Sequence, residues 1–176
     1  MKMIKNIILS GCALALIVSA HAQQNPKLSD PEVASVAVAA NQIDISYAAI
    51  AKEKSKNPEV LKFAETMTND HKAVIAQATD LVKKLNVTPK DNSVSQKLNA
   101  DAEATKKKLQ SASKETFDKT YIDNEVAYHK AVISTVNNVL IPQAQNAELK
   151  KLLQSVAPVL KTHLEHAEMV QKKFSK

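Results

Sequence analysis

After Gly11 this chain contains no glycine. Glycine is the residue that turns a backbone at positive φ and lets it press against a phosphate. Without it there is no dinucleotide fingerprint, no phosphate-binding loop and no G-x-S-x-G nucleophile elbow. The one cysteine, Cys12, is the neighbour of that glycine. Beyond it there is no thiol nucleophile, no disulfide and no cysteine-ligated zinc. No run of alternating β-branched residues supports a strand, so helices must carry the fold.

The N-terminus reads as an export signal. Lys2 and Lys5 form a basic head, Ile7 to Ala20 an apolar run, and Ala20-His21-Ala22 an A-x-A cleavage site. The run is shorter than the roughly 20 residues of a membrane span. Residues 1–22 are therefore expected to be a cleaved signal peptide that leaves no transmembrane anchor. Leu9-Ser10-Gly11-Cys12 has the form of a lipoprotein site, but its cysteine splits the apolar run instead of following it. That position argues against lipid anchoring at Cys12. The expected destination is the bacterial periplasm or the cell exterior.

Every basic residue is a lysine. Removing Lys2 and Lys5 from 24 basic residues set against 18 acids leaves a mature charge of +4. The charges are interleaved, as on the solvated faces of helices. With no arginine fork for phosphate and only 3% aromatic residues to stack on bases, the composition argues against nucleic acid as a partner. An envelope protein or a second copy of the chain are the partners left open.

Prolines punctuate the mature chain. Asp30-Pro31-Glu32 and Asn57-Pro58-Glu59 are helix starts, with Asp30 and Asn57 as N-caps and proline at the first helical position. Pro89 and Pro142 mark breaks, and Pro158 predicts a kink in the last helix. The expected elements are long helices at 31–55, 58–86, 114–140 and 146–174, with a linker helix at 93–111, after a flexible lead-in at 23–29. The apolar residues recur at 3-4 spacing, as in Val60, Ala64, Met67, His71, Val74 and Ala78, or Leu149, Leu153, Val156, Leu160 and His163. Four such helices predict an all-α four-helix bundle over residues 30–174. The connection of about 28 residues between the second and third is long enough to return along the bundle as a helical crossover.

Three histidines interrupt these seams: His71, His129 and His163. Each lies near the middle of its helix, and midpoints coincide whether helices run parallel or antiparallel. They should share one level of the core. Asp44 is also at mid-helix, Asp70 flanks His71, and Glu125 is one turn before His129. His166 follows His163 by three residues, about 60° round the helix, and is expected at a flank. The layer has two readings. One is a site for a transition metal ion (Cu, Zn or mononuclear Fe), held by the three imidazoles with Asp44, Asp70 or Glu125 completing the shell; Met67 is a candidate soft ligand. The other is a hydrogen-bonded polar layer, in which carboxylates and the hydroxyls of Tyr47, Tyr121 or Tyr128 satisfy the imidazoles.

The residues Val60-Leu61-Lys62-Phe63-Ala64 with Met67 and Asp70-His71, then Phe117-Asp118 with Tyr121 and His129, then Pro158-Val159-Leu160-Lys161-Thr162-His163-Leu164, resemble the DUF4142 family over residues 30–173. The resemblance implies a ferritin-like bundle exported by a bacterium. It carries no settled activity. Family members often have a Gly-Gly pair and a Glu in the first helix, where this chain has Asn41-Gln42 and Asp44. The ferritin-like superfamily's di-iron chemistry needs two E-x-x-H motifs, and this chain has none.

Nothing here marks an enzyme, and no catalytic residue can be named. The leading reading is a non-enzymatic envelope or stress-associated binding protein. The alternatives are a metal-binding protein using His71, His129 and His163, and a pH-sensing bundle that loosens when its histidines gain protons.

Overall fold

The computed structural model describes residues 26–174. The expected signal peptide, its cleavage site and Cys12 lie outside the described residues. The elements are α1 (Asp30–Lys54), α2 (Pro58–Lys84), α3 (Ser93–Ser111), α4 (Lys114–Thr135), α5 (Ile141–Gln143) and α6 (Ala147–Gln171). A π-turn at Val136–Leu140 joins α4 to α5, and a 3₁₀ turn at Lys172–Phe174 ends the last helix. There is no strand among the described residues. The expected third helix is thus a shorter α-helix prolonged by a π-turn, and α6 continues through Pro158.

Local chemistry explains the boundaries. α1 is capped by Ser29 rather than by Asp30. The Ser29 amide and hydroxyl both donate to the Glu32 carboxylate, at 2.9 and 2.6 Å, which is the reach-back of a capping box. Asp30, freed from capping, accepts the amides of Gln145 and Asn146 at 2.7 and 2.9 Å and so ties α1 to the approach of α6. Residues 26–29 are not the loose lead-in expected of them. Leu28 is buried, its amide donates to Gln143 Oε1 at 2.6 Å, and Gln143 Nε2 returns a bond to Pro26 O. At the end of α2, Asn86 takes φ 51°. It fills the left-handed position that glycine usually holds, because its short polar side chain tolerates that region.

Long-range pairs fix the helix directions. Asn41 and Asp44 of α1 meet His71 of α2 while Lys52 meets Thr68, so α1 and α2 are antiparallel. Along α2, Glu59, Asp70 and Lys84 meet Lys173, His163 and Glu148 in turn, so α6 is antiparallel to α2. Asp123 meets Gln171, and Lys130 meets Glu168, so α4 is antiparallel to α6. The order is up, down, down, up. α3 supplies the return: Asn92 contacts Glu32 O at its start and Lys54 reaches Gln110 O at its end, parallel to α1. This is the crossover expected from the length of the connection.

The core is two clusters. At the end of the α1–α2 turn, Phe63, Met67, Phe117, Tyr121 and Ile122 pack with Tyr47, Val60 and Leu109. At the other end, Val33, Val36, Val136, Leu140, Leu149 and Leu160 form the second cluster. α1 is long and apolar enough to span a membrane by composition. Burial accounts for that character: Val33, Val36, Ile43, Tyr47, Ala48 and Ile50 are all in the interior. Between the two clusters lies a polar layer.

Candidate metal centre

α1, α2, α4 and α6 each send one side chain into that layer: Asp44, His71, His129 and His163, with exposures of 0, 4, 1 and 4%. The three imidazole centroids are 5.2 to 5.9 Å apart. Mid-helix placement does bring them to one level. Glu125, one turn before His129, is fully buried beside it.

Each imidazole is held from outside through one ring nitrogen. His71 Nδ1 lies 2.7 Å from Asn41 Oδ1. The Asn41 amide nitrogen donates to Ala37 O at 2.8 Å, so its oxygen faces the ring and His71 Nδ1 carries the proton. His129 Nδ1 lies 3.0 Å from the Glu125 carbonyl, again an acceptor, so it too donates. His163 Nε2 donates to Asp70 Oδ2 at 2.9 Å. A neutral imidazole has one N–H and one lone pair. The inner nitrogens, His71 Nε2, His129 Nε2 and His163 Nδ1, therefore present lone pairs, and none has a hydrogen-bond partner. One candidate ligand atom from each of the three lies within 4.8 Å of the others.

Asp44 faces these lone pairs. Its Oδ2 stands 3.3 Å from His71 Nε2 and 3.5 Å from His129 Nε2, and neither carboxylate oxygen accepts a hydrogen bond. Burial pushes the Asp44 carboxyl up, but a hydrogen bond from His71 and the positive charge that His71, His129 and His163 can carry overbalance it and hold the group below its ordinary value. Burial holds His129 and His163 below the ordinary imidazole value, outweighing their carboxylate neighbours. Burial, then the charge of Asp44, raises Glu125 well above its ordinary value. A carboxylate oxygen and an imidazole nitrogen at 3.3 Å in a buried layer need a cation between them, either a proton on the ring nitrogen or a metal ion.

The sequence candidates divide in the structure. Asp44, His71, Glu125, His129 and His163 are brought together. Asp70 is not in the layer: its side chain is 46% exposed and orients His163 from outside. Its neighbour His71 points inward, and adjacent helical positions do not share a face. Met67 is buried in the apolar cluster. His166 leaves the layer and packs edge-on against Phe63 at 5.1 Å. The tyrosines do not satisfy the imidazoles: Tyr128 donates to Ala40 O at 2.8 Å, and the Tyr121 hydroxyl is buried without a partner. Asn41 escaped notice in the sequence. Its place three residues before Asp44, on the same helix face, is the signal that could have found it.

Fold and site together define an all-α bundle with a buried histidine–carboxylate centre. The chain belongs to the DUF4142 family, a domain of unknown function whose family model matches residues 17–170. No curated protein and no solved structure matches the chain.

Proposed function

We propose that this protein is an exported, non-enzymatic metal-binding bundle that holds one divalent transition ion through His71, His129, His163 and Asp44. One observation carries the reading: all three outer ring nitrogens are tied to acceptors, which turns the other nitrogens inward, and two of these, His71 Nε2 and His129 Nε2, lie 3.3 and 3.5 Å from the buried Asp44 Oδ2. Second-sphere anchoring of this kind fixes the tautomer a metal needs. The 3.3 and 3.5 Å separations of Asp44 Oδ2 from the two imidazoles match the ligand–ligand edge of about 3.3 Å in a tetrahedron with bonds near 2.05 Å. Three imidazoles and a carboxylate suit Zn, Cu or Fe(II).

A di-iron pair does not fit. That chemistry draws four Glu and two His from facing helices, whereas this centre has three histidines and two acids. Export rests on the pattern of residues 1–22, and a carrier or buffering role in the cell envelope follows from a closed site without a catalytic group.

Elemental analysis of mature protein, purified from the periplasm without chelators, tests the reading. The expected result is about one equivalent of a transition metal, lost in His71→Ala and His163→Ala. A metal-free protein that takes up none of Zn(II), Cu(II) or Fe(II) on titration would overturn it.

A further inference from the structure

The two halves of the core are not equally filled. In α2 the residues before the centre, Val60, Phe63, Ala64 and Met67, are fully buried. Beyond His71 the seam stays just as apolar, yet Val74, Ile75, Ala78, Leu81 and Val82 are only half-buried. The second core cluster has no fully buried residue from α2. Between this half of α2 and the facing helices is a cavity of about 300 Å³, at the lower end of the roughly 300–1,000 Å³ range of small-molecule sites. Its wall includes Ala37 from α1, Ala78 from α2, Leu153 from α6 and Val136 and Leu140 from the π-turn. π-turns recur at functional sites, and this one forms part of the wall.

The same cavity is lined by Asn41, Asp44, His71 and His129. Three of these carry buried atoms without hydrogen-bond partners, namely both Asp44 oxygens, His71 Nε2 and His129 Nε2. The pocket is therefore amphipathic: a long apolar wall with a cluster of acceptor atoms on one part of it.

We propose that this cavity binds a neutral single-chain amphiphile, with its hydrocarbon tail along α2 and α6 and a hydroxyl head toward Asp44. The head chemistry follows from the acceptors. An alcohol donates a proton to the Asp44 carboxylate or to an imidazole lone pair. A carboxylate head would bury a second negative charge beside Asp44, and the unpartnered Asn124 Nδ2 on the lining is a neutral donor that does not balance a full charge. The tail chemistry follows from the wall, since filling an apolar cavity restores the contacts its lining lacks. The head shares Asp44, His71 and His129 with the proposed metal centre, so the amphiphile is an occupant of the metal-free protein, and its uptake does not require the metal reading to hold.

The test uses the chelator-treated, full-length mature protein and the neutral reporter 1-N-phenylnaphthylamine, whose fluorescence rises on entering an apolar site. Reporter uptake, displacement by 1-decanol, and displacement by decanoate at least ~10-fold weaker are expected. Ala37→Leu and Ala78→Leu, from facing walls, should each cut reporter affinity by ~10-fold or more without lowering Tm. Asp44→Asn should close most of the gap between alcohol and carboxylate. Absence of uptake would overturn the proposal. So would uptake unchanged in both filled variants, or decanoate competing as well as decanol against the unmodified protein.

Discussion

Asp44 Oδ2 and His71 Nε2 face each other at 3.3 Å, and both groups are buried. The other ring nitrogen, Nδ1, is committed to Asn41. Water does not screen the pair, so the contact is favourable only around a cation, which is a proton in the metal-free chain and the ion in the loaded one. Asp44→Asn should therefore separate the two states. In metal-free protein it is expected to cost ~1–3 kcal/mol, because it removes the carboxylate that His71 Nε2 faces. In metal-loaded protein it should also abolish most of the ligand-induced rise in Tm. Urea melts with and without chelator measure both; an unchanged response to metal would count against Asp44 as a ligand.

The anchors outside the centre should matter nearly as much as the ligands. Asn41→Leu leaves His71 Nδ1 without its acceptor, and Asp70→Asn removes the charge that orients His163. Each is expected to weaken metal affinity ~10–100-fold. Asp70 is half exposed, so its variant should fold normally. Competition against a chromophoric chelator reads the change. Equal affinity in both variants would show that the outer bonds do not set the tautomers.

Metal-free stability should fall on both sides of a maximum. His129 and His163 are held below 6.5 by burial. The stability they contribute as neutral groups is complete above 6.5 and is lost as pH falls from there through their folded values. Glu125 acts in the opposite direction. It is held well above 4.5, so its contribution is complete below 4.5 and is lost as pH rises through its folded value. Glu125→Gln should remove the alkaline decline and leave the acid limb intact. Denaturant midpoints from about pH 4 to 9 resolve the two limbs, and a profile flat below neutrality would show that the histidines do not titrate on unfolding.

Two tyrosine hydroxyls at this level should respond differently to removal. Tyr121 is fully buried and its hydroxyl has no partner. Tyr121→Phe should be neutral or stabilising by up to ~1 kcal/mol, since a desolvated group disappears with nothing lost. Tyr128 donates to Ala40 O, linking α4 to α1, and Tyr128→Phe should cost ~1 kcal/mol. Thermal melts of the pair at one pH make the comparison; the reverse order of stabilities would contradict it.

Much of the fold could be read without coordinates because its information is local. Pro31 and Pro58 mark helix starts, the 3-4 seams mark buried faces, and the length of the α2–α4 connection permits a crossover. Where local signals competed, the reading slipped. Ser29 rather than Asp30 caps α1, because the Ser29–Glu32 spacing makes a capping box and Asp30 has distant amides to accept. Asn86 replaces the missing glycine at a left-handed position, and its sequence neighbours do not announce it.

The sequence by itself determined an all-helical chain, the faces its helices bury, and the common level of His71, His129 and His163, since the rise per residue sets the height of every mid-helix side chain. Tertiary structure alone decided how the rings of His71 and His163 are turned, that Asp44 enters the centre while Asp70 supports it from outside, and that a cavity lies along α2 beyond His71. The two ring orientations depend on contacts between residues 30 and 93 positions apart. No periodicity along a single helix encodes the rotation and separation of its neighbours.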